Sequence, residues 1–278
     1  MPRYDTPAPI SVTLEFDIGS ARITAGPRTD TVVEVLPTDG ADPADVRAAQ
    51  QTKVTFLDGK LVVKGPKKRS LFSKSGSLDV SVELPAGSDV LGVSPLADFL
   101  CEGPLGECRL KSSLGDLQVA EAAAANLRTG HGDVRVGHVT GDAEVVGTGR
   151  IGIGRVGGAA TVKNANGDTE VGEAGGDLRV NSSNGRISIG VAHAGVDAKS
   201  AHGGISVDEV ARGKVTLQTA MGDLEVGIRE STAAWLDVNT RFGAVRNSLG
   251  PSDGPGASDG TVEVRARTGL GDIVIRRA

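Results

Sequence analysis

The sequence predicts an all-β fold, a single-stranded β-solenoid (β-helix-like) with coils of about 17–19 residues, two short strands per coil and a less regular β-rich cap at the N-terminus. Three observations carry this. A Gly-x-apolar-x-apolar unit recurs through the second half of the chain, its copies keep a nearly constant spacing, and within each copy the apolar residues stand two apart. Repetition at a fixed period marks stacked units, none of which buries its own apolar face. A period of two marks a strand with one buried face and argues against helix.

One series of units starts at Gly115, Gly132, Gly149, Gly167, Gly185, Gly204 (shifted by one residue) and Gly222, in steps of 17, 17, 18, 18, 19 and 18. A second lies between them at Gly141, Gly158, Gly176, Ala194 and Gly213, in steps of 17, 18, 18 and 19. Leu117 with Val119, Val134 with Val136, Ile151 with Ile153 and Ile187 with Ile189 supply the alternation. Coils stacked about 4.8 Å apart would pair each strand with its copy in the next coil. The chain must reverse twice per coil, and Gly enters φ > 0 without steric penalty, so the glycines read as turn residues. Thr129, Asn164, Asn166, Ser182, Ser183, Asn184 and Thr219 gather just before first-series turns, where they can hydrogen-bond from coil to coil.

Ahead of Gly115, alternating runs predict strands at Ile10–Phe16, Ala21–Thr24, Thr31–Val35, Lys53–Phe56, Lys60–Val63 and Leu78–Leu84. One short helix is predicted over 42–51, with Asp42 as N-cap and Pro43 at the first helical position. Residues 1–100 therefore read as a β-rich capping region and 101–278 as the repeat region. The latter includes a Gly/Pro/Ser/Asp loop at 247–260, strands at Thr261–Arg265 and Asp272–Ile275, and a C-terminal capping coil. Caps are expected because a bare strand edge recruits other chains.

Composition narrows the functional classes. The 278 residues are 38% hydrophobic with a formal charge of -5, too apolar for disorder and without the basic excess of a nucleic-acid binder. The 40 Gly follow no Gly-X-Y period, which excludes collagen. One Trp, one Tyr and five Phe leave a core of small aliphatic residues. No run approaches the ~18–20 apolar residues of a membrane span. The opening Met1–Asp5 has no signal-peptide pattern, so the expectation is a cytoplasmic protein without direct membrane insertion. Cys101 and Cys108 lack the CxxC spacing of a zinc site and read as small packed hydrophobes.

The search for chemistry yields surface candidates only, with no catalytic, metal-binding or cofactor-binding residue predicted and no cofactor expected. His131 and His202 fall on the same turn about four coils, or about 19 Å, apart, too far to share a metal. His138 and His193 are similarly dispersed. Down the first series the residue after Gly is Asp116, Asp133, Arg150, Asp168, Arg186 and Asp223, so Asp116 and Asp133 are the one acidic pair on adjacent coils. Carboxylates ~5 Å apart serve retaining glycosidases, which gives a polysaccharide-acting or carbohydrate-binding β-helix as an alternative. The remaining charges alternate in sign, as on a solvated face. Lys67, Lys68 and Arg69, within KGPKKR, form the one local basic excess and read as a solvated loop ahead of an anion site. Repeat-in-toxin calcium nonapeptides and a phosphate loop are absent from the sequence.

Several pieces together resemble a bacterial β-strand-repeat domain of unknown function, common in actinobacteria and known as the "putative adhesin" family. They are FDIGSARITAG, VSVELPAGSDVLGV, the central run of Gly-Asp strands, WLDVNTRFGAVRNSL and VRARTGLGDIVIRRA, and the match spans nearly the whole chain. The resemblance implies a repetitive β fold and carries no catalytic motif. The expectation is a non-enzymatic structural or protein-interaction module whose partner is another protein or a second copy met at the solenoid ends, with no nucleic-acid partner. A self-assembling cytoplasmic scaffold resembling the bactofilins is a further alternative.

Overall fold

Every Gly-x-apolar-x-apolar unit of the two series becomes a β-strand in the computed structural model, which describes residues 2–66, 75–250 and 260–278. The chain is all-β apart from one helix among the described residues, and it forms two units, 1–139 and 140–278. Both are β-solenoids built by parallel stacking of short strands.

In the second unit each coil contributes two strands, as in Ile151–Val156 with Ala160–Asn164 and Ile187–Ala192 with Val196–His202. Parallel register sets like on like: Ile151, Thr169, Ile187, Ile205 and Leu224 form one continuous row. Val145, Val162, Val180, Ala198 and Leu217 form another. All of these are buried, so the core is a set of aliphatic ladders running from coil to coil. The inward residues of the first strand are spaced two and then three apart (Ile187, Ile189, Ala192), which puts a corner inside that strand. A full row of residues with no aromatic ring fits because every layer is only one strand thick.

Stacking order departs from chain order at the C-terminus. Gly260–Leu270 pairs with Gly213–Met221 on one side and with Thr232–Phe242 on the other. Ile273–Arg277 lies likewise between Leu224–Ile228 and Val245–Asn247. The last coil of the chain, expected to cap, is therefore second in the stack, and the 232–247 coil is outermost. A chain end frays when only one side holds it; here both edges of the terminal strands are paired. Of the predicted loop 247–260, residues 251–259 lie outside the described residues, whereas Asn247 and Gly260 belong to strands.

The first unit uses the same device. Ile18–Gly26 is parallel to both Ser77–Pro85 and residues 96–102, and Ser11–Glu15 lies between Lys60–Lys64 and residues 89–93. The region ahead of Gly115 is thus also built of stacked coils. One of them, within Asp89–Leu114, was not legible in the repeat because Ala97 and Asp98 occupy the Gly-Asp position. The outer coil of this unit is covered by antiparallel strands, Lys53–Leu57 on Lys60–Lys64 and Asp30–Pro37 on Ser77–Pro85. The helix forms as predicted over Pro43–Gln51, with the Asp42 carboxylate accepting from the Ala44 N–H at 2.8 Å. Buried Asp45 fastens it, accepting from the N–H groups of Ser77 (2.8 Å) and Asp39 (3.1 Å).

Two different constraints hold the glycines, and second-series Gly213 (φ 95) shares the positive φ of the first-series turns. First-series turns need positive φ, as at Gly185 (φ 113), where an added Cβ would also stand 2.2 Å from the Gly167 carbonyl oxygen of the adjacent coil. Second-series Gly176 has no such φ; it is glycine because a Cβ would meet the Gly158 oxygen at 2.6 Å. The shifted unit at Gly204 is also corrected: Gly203 (φ 139) is the turn glycine stacked on Gly185, and Gly204 occupies the position held elsewhere by Asp.

Candidate functional site

The residue after each turn glycine has a definite task. The Asp116 carboxylate accepts a hydrogen bond from the Asp133 N–H at 2.8 Å, and Asp98 does the same for the Asp116 N–H at 2.8 Å. In the second unit Asp168 accepts from Arg186 (2.9 Å), Asp223 from Asp272 (2.8 Å) and Asp272 from Ala244 (2.9 Å). The second series repeats it, Asp142 accepting from Ala159 (2.8 Å) and Asp177 from Gly195 (3.0 Å). Each acceptor oxygen satisfies a backbone donor of the neighbouring coil at the turn, where the parallel ladder is interrupted. Asp116 and Asp133 do lie on neighbouring coils, and the bond that relates them is the one also accepted by Asp98, Asp168, Asp223 and Asp272.

The polar residues before the turns make a second row. Thr129, Thr219, Thr268 and Thr240 donate their hydroxyls to the carbonyls of Gly115, Gly203, Gly222 and Gly271 at 2.8–3.0 Å. Asn164 donates to Gly149 at 2.9 Å, whereas Ser182 bonds within its own turn, to Asn184. Of the residues expected to bond from coil to coil, Thr129, Asn164 and Thr219 do so, and Ser182 does not.

Charged side chains on the outer face pair across coils: Arg155 with Glu173 (3.5 Å), Arg179 with Asp197 (3.7 Å) and Arg276 with Glu225 (2.7 Å). All are partly exposed, and such pairs contribute about 0–1 kcal/mol each. His193 bonds Glu173 at 3.0 Å, and His138 lies 4.0 Å from Glu121. Among the described residues no three His, Cys, Asp or Glu side chains are grouped to hold a metal. Lys67, Lys68 and Arg69 lie outside the described residues. Cys101 and Cys108 are buried free thiols; the hydrogen bond that the Cys101 S–H donates to Cys108, together with burial, pushes the Cys101 thiol well above its ordinary range, away from thiolate chemistry.

Two features escaped the sequence reading. One is a recess of about 240 Å³ lined by His193, Arg212, Arg229 and Ser231. Its basic groups are engaged, Arg229 with Glu209, His193 with Glu173, and Arg212 Nε with the His193 carbonyl. The other is the outermost 232–247 coil. Ala234, Leu236 and Val238 are half-buried while their neighbours Val262, Val264 and Ala266 are fully buried, and Trp235, Phe242 and Val245 are exposed. The alternation in AAWLDV pointed to a strand; nothing local said that no further coil would cover it.

The stacked coils have a counterpart among known families: the Toastrack DUF4097 model matches residues 43–276. The chain belongs to the Toastrack DUF4097 family. This agrees with the resemblance drawn from the repeat. No curated protein matches. Solved structures similar to this chain include a putative adhesin from Bacteroides fragilis, at 14% identity, covering 99% of this chain and 95% of that one with a TM-score of 0.34. Another is a putative adhesin from Parabacteroides distasonis, at 12% identity, 100% and 95% coverage and a TM-score of 0.32. A third, a putative cell adhesion protein from Clostridium sporogenes, has 13% identity, 100% and 98% coverage and a TM-score of 0.24. Among the described residues of this Toastrack chain, no helix is long and apolar enough to cross a membrane.

Proposed function

We propose that this Toastrack chain is a non-enzymatic structural or protein-interaction module, acting in the cytoplasm, that engages another protein or a second copy of itself through its uncovered strand edge. The observation that carries the reading is the 232–247 coil, whose inward apolar residues have a neighbour on one side only. An incomplete core layer with an open backbone edge favours a protein partner able to supply the missing strand. The turn aspartates support the reading from the other side, since their shared geometry gives each a backbone bond to make. Affinity purification of the tagged chain from its native cytoplasm, in parallel with a Trp235→Asp variant, tests it. Capture of a specific partner that Trp235→Asp abolishes is the expected result, and capture indifferent to that substitution refutes the edge as the contact.

Carbohydrate binding is the second reading, favoured by the adjacency of Asp116 and Asp133. Substituting both with Asn and finding every polysaccharide interaction unchanged would remove it. A bactofilin-like scaffold requires open polymers, and a discrete species in sedimentation at high concentration and physiological salt would count against it.

A further inference from the structure

We infer that the 232–247 coil is a self-pairing edge, on which two copies of the chain join by laying their Thr232–Phe242 strands antiparallel about a two-fold axis at Val238. The inference rests on the interaction-module reading and names its partner.

Among the described residues Thr232–Phe242 pairs only with Gly260–Leu270, and Val245–Asn247 only with Ile273–Arg277. The uncovered layer is apolar: Val245 is 44% exposed while Ile273, its paired neighbour one strand inward, is 0%, and half-buried Leu236 sits on Val264, also 0%. Residues 251–259, outside the described residues, consist only of Pro, Gly, Ser, Asp and Ala. In the first unit the equivalent outer coil is completed by antiparallel strands, with Val33 facing Val82 and Val54 facing Val63. An antiparallel strand is thus a cover that coils of this chain accept.

The strand is complementary to itself in one register. In the stacked equivalent strand Gly195, which precedes inward Val196, gives its carbonyl to the Leu178 N–H, and Trp235 holds the same place before inward Leu236, so residues of that parity turn their backbone inward; the ladder is interrupted at 241, after which Phe242 gives its carbonyl to the Gly271 N–H. The alternate residues, 234, 236, 238 and 240, turn N–H and C=O to the open edge. Inward side chains must meet inward side chains, which restricts the axis to whole-residue positions. An axis at Asp237 sets that carboxylate against its own copy, a like-charge contact. An axis at Leu236 places Trp235 opposite Asp237. With the axis at Val238, Leu236 faces Thr240, Ala234 faces Phe242, Asp237 faces Asn239 and Trp235 faces Arg241, an aromatic–guanidinium pair. Such an interface is isologous and consumes the edge, so it closes at a dimer.

Sedimentation of the full chain at micromolar concentrations and disulfide trapping test the geometry. Val238 on the axis is a hydrogen-bonded pair with Cα atoms ~5.5 Å apart, within disulfide reach. Asn239 is diagonal to its copy at ~7–8 Å, beyond it. With oxidised glutathione as oxidant, Val238→Cys should convert to a covalent dimer and Asn239→Cys should remain uncoupled; buried Cys101 and Cys108 serve as the internal control. Val238→Pro, which removes an edge-facing N–H, should turn the wild-type dimer into monomer. Equal trapping at 238 and 239, a monomeric wild type with no trapping at 238, or an open polymer would each overturn the inference. A monomer that still captures a protein through Trp235 would end this inference and leave the interaction-module reading standing.

Discussion

Replacing Asp116 separates a structural role for the Gly-Asp rows from a chemical one. Its carboxylate accepts the Asp133 N–H at 2.8 Å in a part-buried contact. A hydrogen bond to a charged group contributes ~1.5–3 kcal/mol net when enclosed. Water can replace part of it here, which reduces the expected loss in Asp116→Ala to about 1 kcal/mol. For a chain of this size that corresponds to a fall of about 2–4 °C in Tm. Asp116→Asn keeps an oxygen acceptor at the same place and should lose less than half as much. Asp98→Ala acts on the preceding bond of the same row, at 2.8 Å, and because Asp98 accepts from Asp116 itself the double Ala variant should depart from the sum of the two. Calorimetric melting of the wild type and the four variants, following the transition of the first unit, measures all of this. Asp116→Ala melting with the wild type would refute the structural role. Asn and Ala melting equally low would show that the charge, and not the acceptor atom, matters.

Other substitutions probe other parts of the stack. Gly185→Ala must place a Cβ 2.2 Å from a backbone oxygen at a φ of 113, and should cost more than about 2 kcal/mol, the upper cost of the φ alone. Gly152→Ala, with nothing within 4 Å, should be neutral in the same urea titration. Ile187 is 0% exposed between Thr169 and Ile205, so Ile187→Asp buries an unpaired charge and should abolish cooperative unfolding of the second unit, whereas Ile187→Val should cost about 0.5–1.5 kcal/mol. A native melting curve for Ile187→Asp would refute the inward assignment. The Asp30 carboxyl is held below its ordinary range by its hydrogen bonds with Arg28. A depressed folded pKa means that the pair stabilises fully above the unfolded value of about 4 and loses its effect as pH falls through the folded one. Wild type and Asp30→Asn should therefore differ at neutral pH and converge in acid, as read from urea midpoints; a gap that widens in acid would contradict the pairing.

Much of the fold was legible because its rules are local. The spacing of Gly132, Gly149, Gly167 and Gly185 sets the coil, the alternation at Ile187 and Ile189 sets the buried face, and Asp42 with Pro43 sets the helix start. The candidate site was less legible. Asp116 and Asp133 could be placed on neighbouring coils from the period, but the bond between one carboxylate and the next backbone N–H depends on how far the turns project and on the side-chain rotamer, which spacing does not encode. Gly176 looked like a turn glycine until its distance to the adjacent coil showed close approach as the constraint.

The sequence by itself determined the strands, their inward faces, the period of the coil and the family. Only the tertiary structure decided which coil neighbours which. The pattern of VEVRARTGLGDIVI fits any position in the stack, since every coil offers the same aliphatic rows. Its place between 213–228 and 232–247, like that of Ile18–Gly26 between two later strands, follows from long-range pairing. A strand's alternation specifies a face and leaves the partner open; clamping both terminal segments between covalently continuous coils pairs both of their edges, and that same choice leaves 232–247 as the uncovered layer.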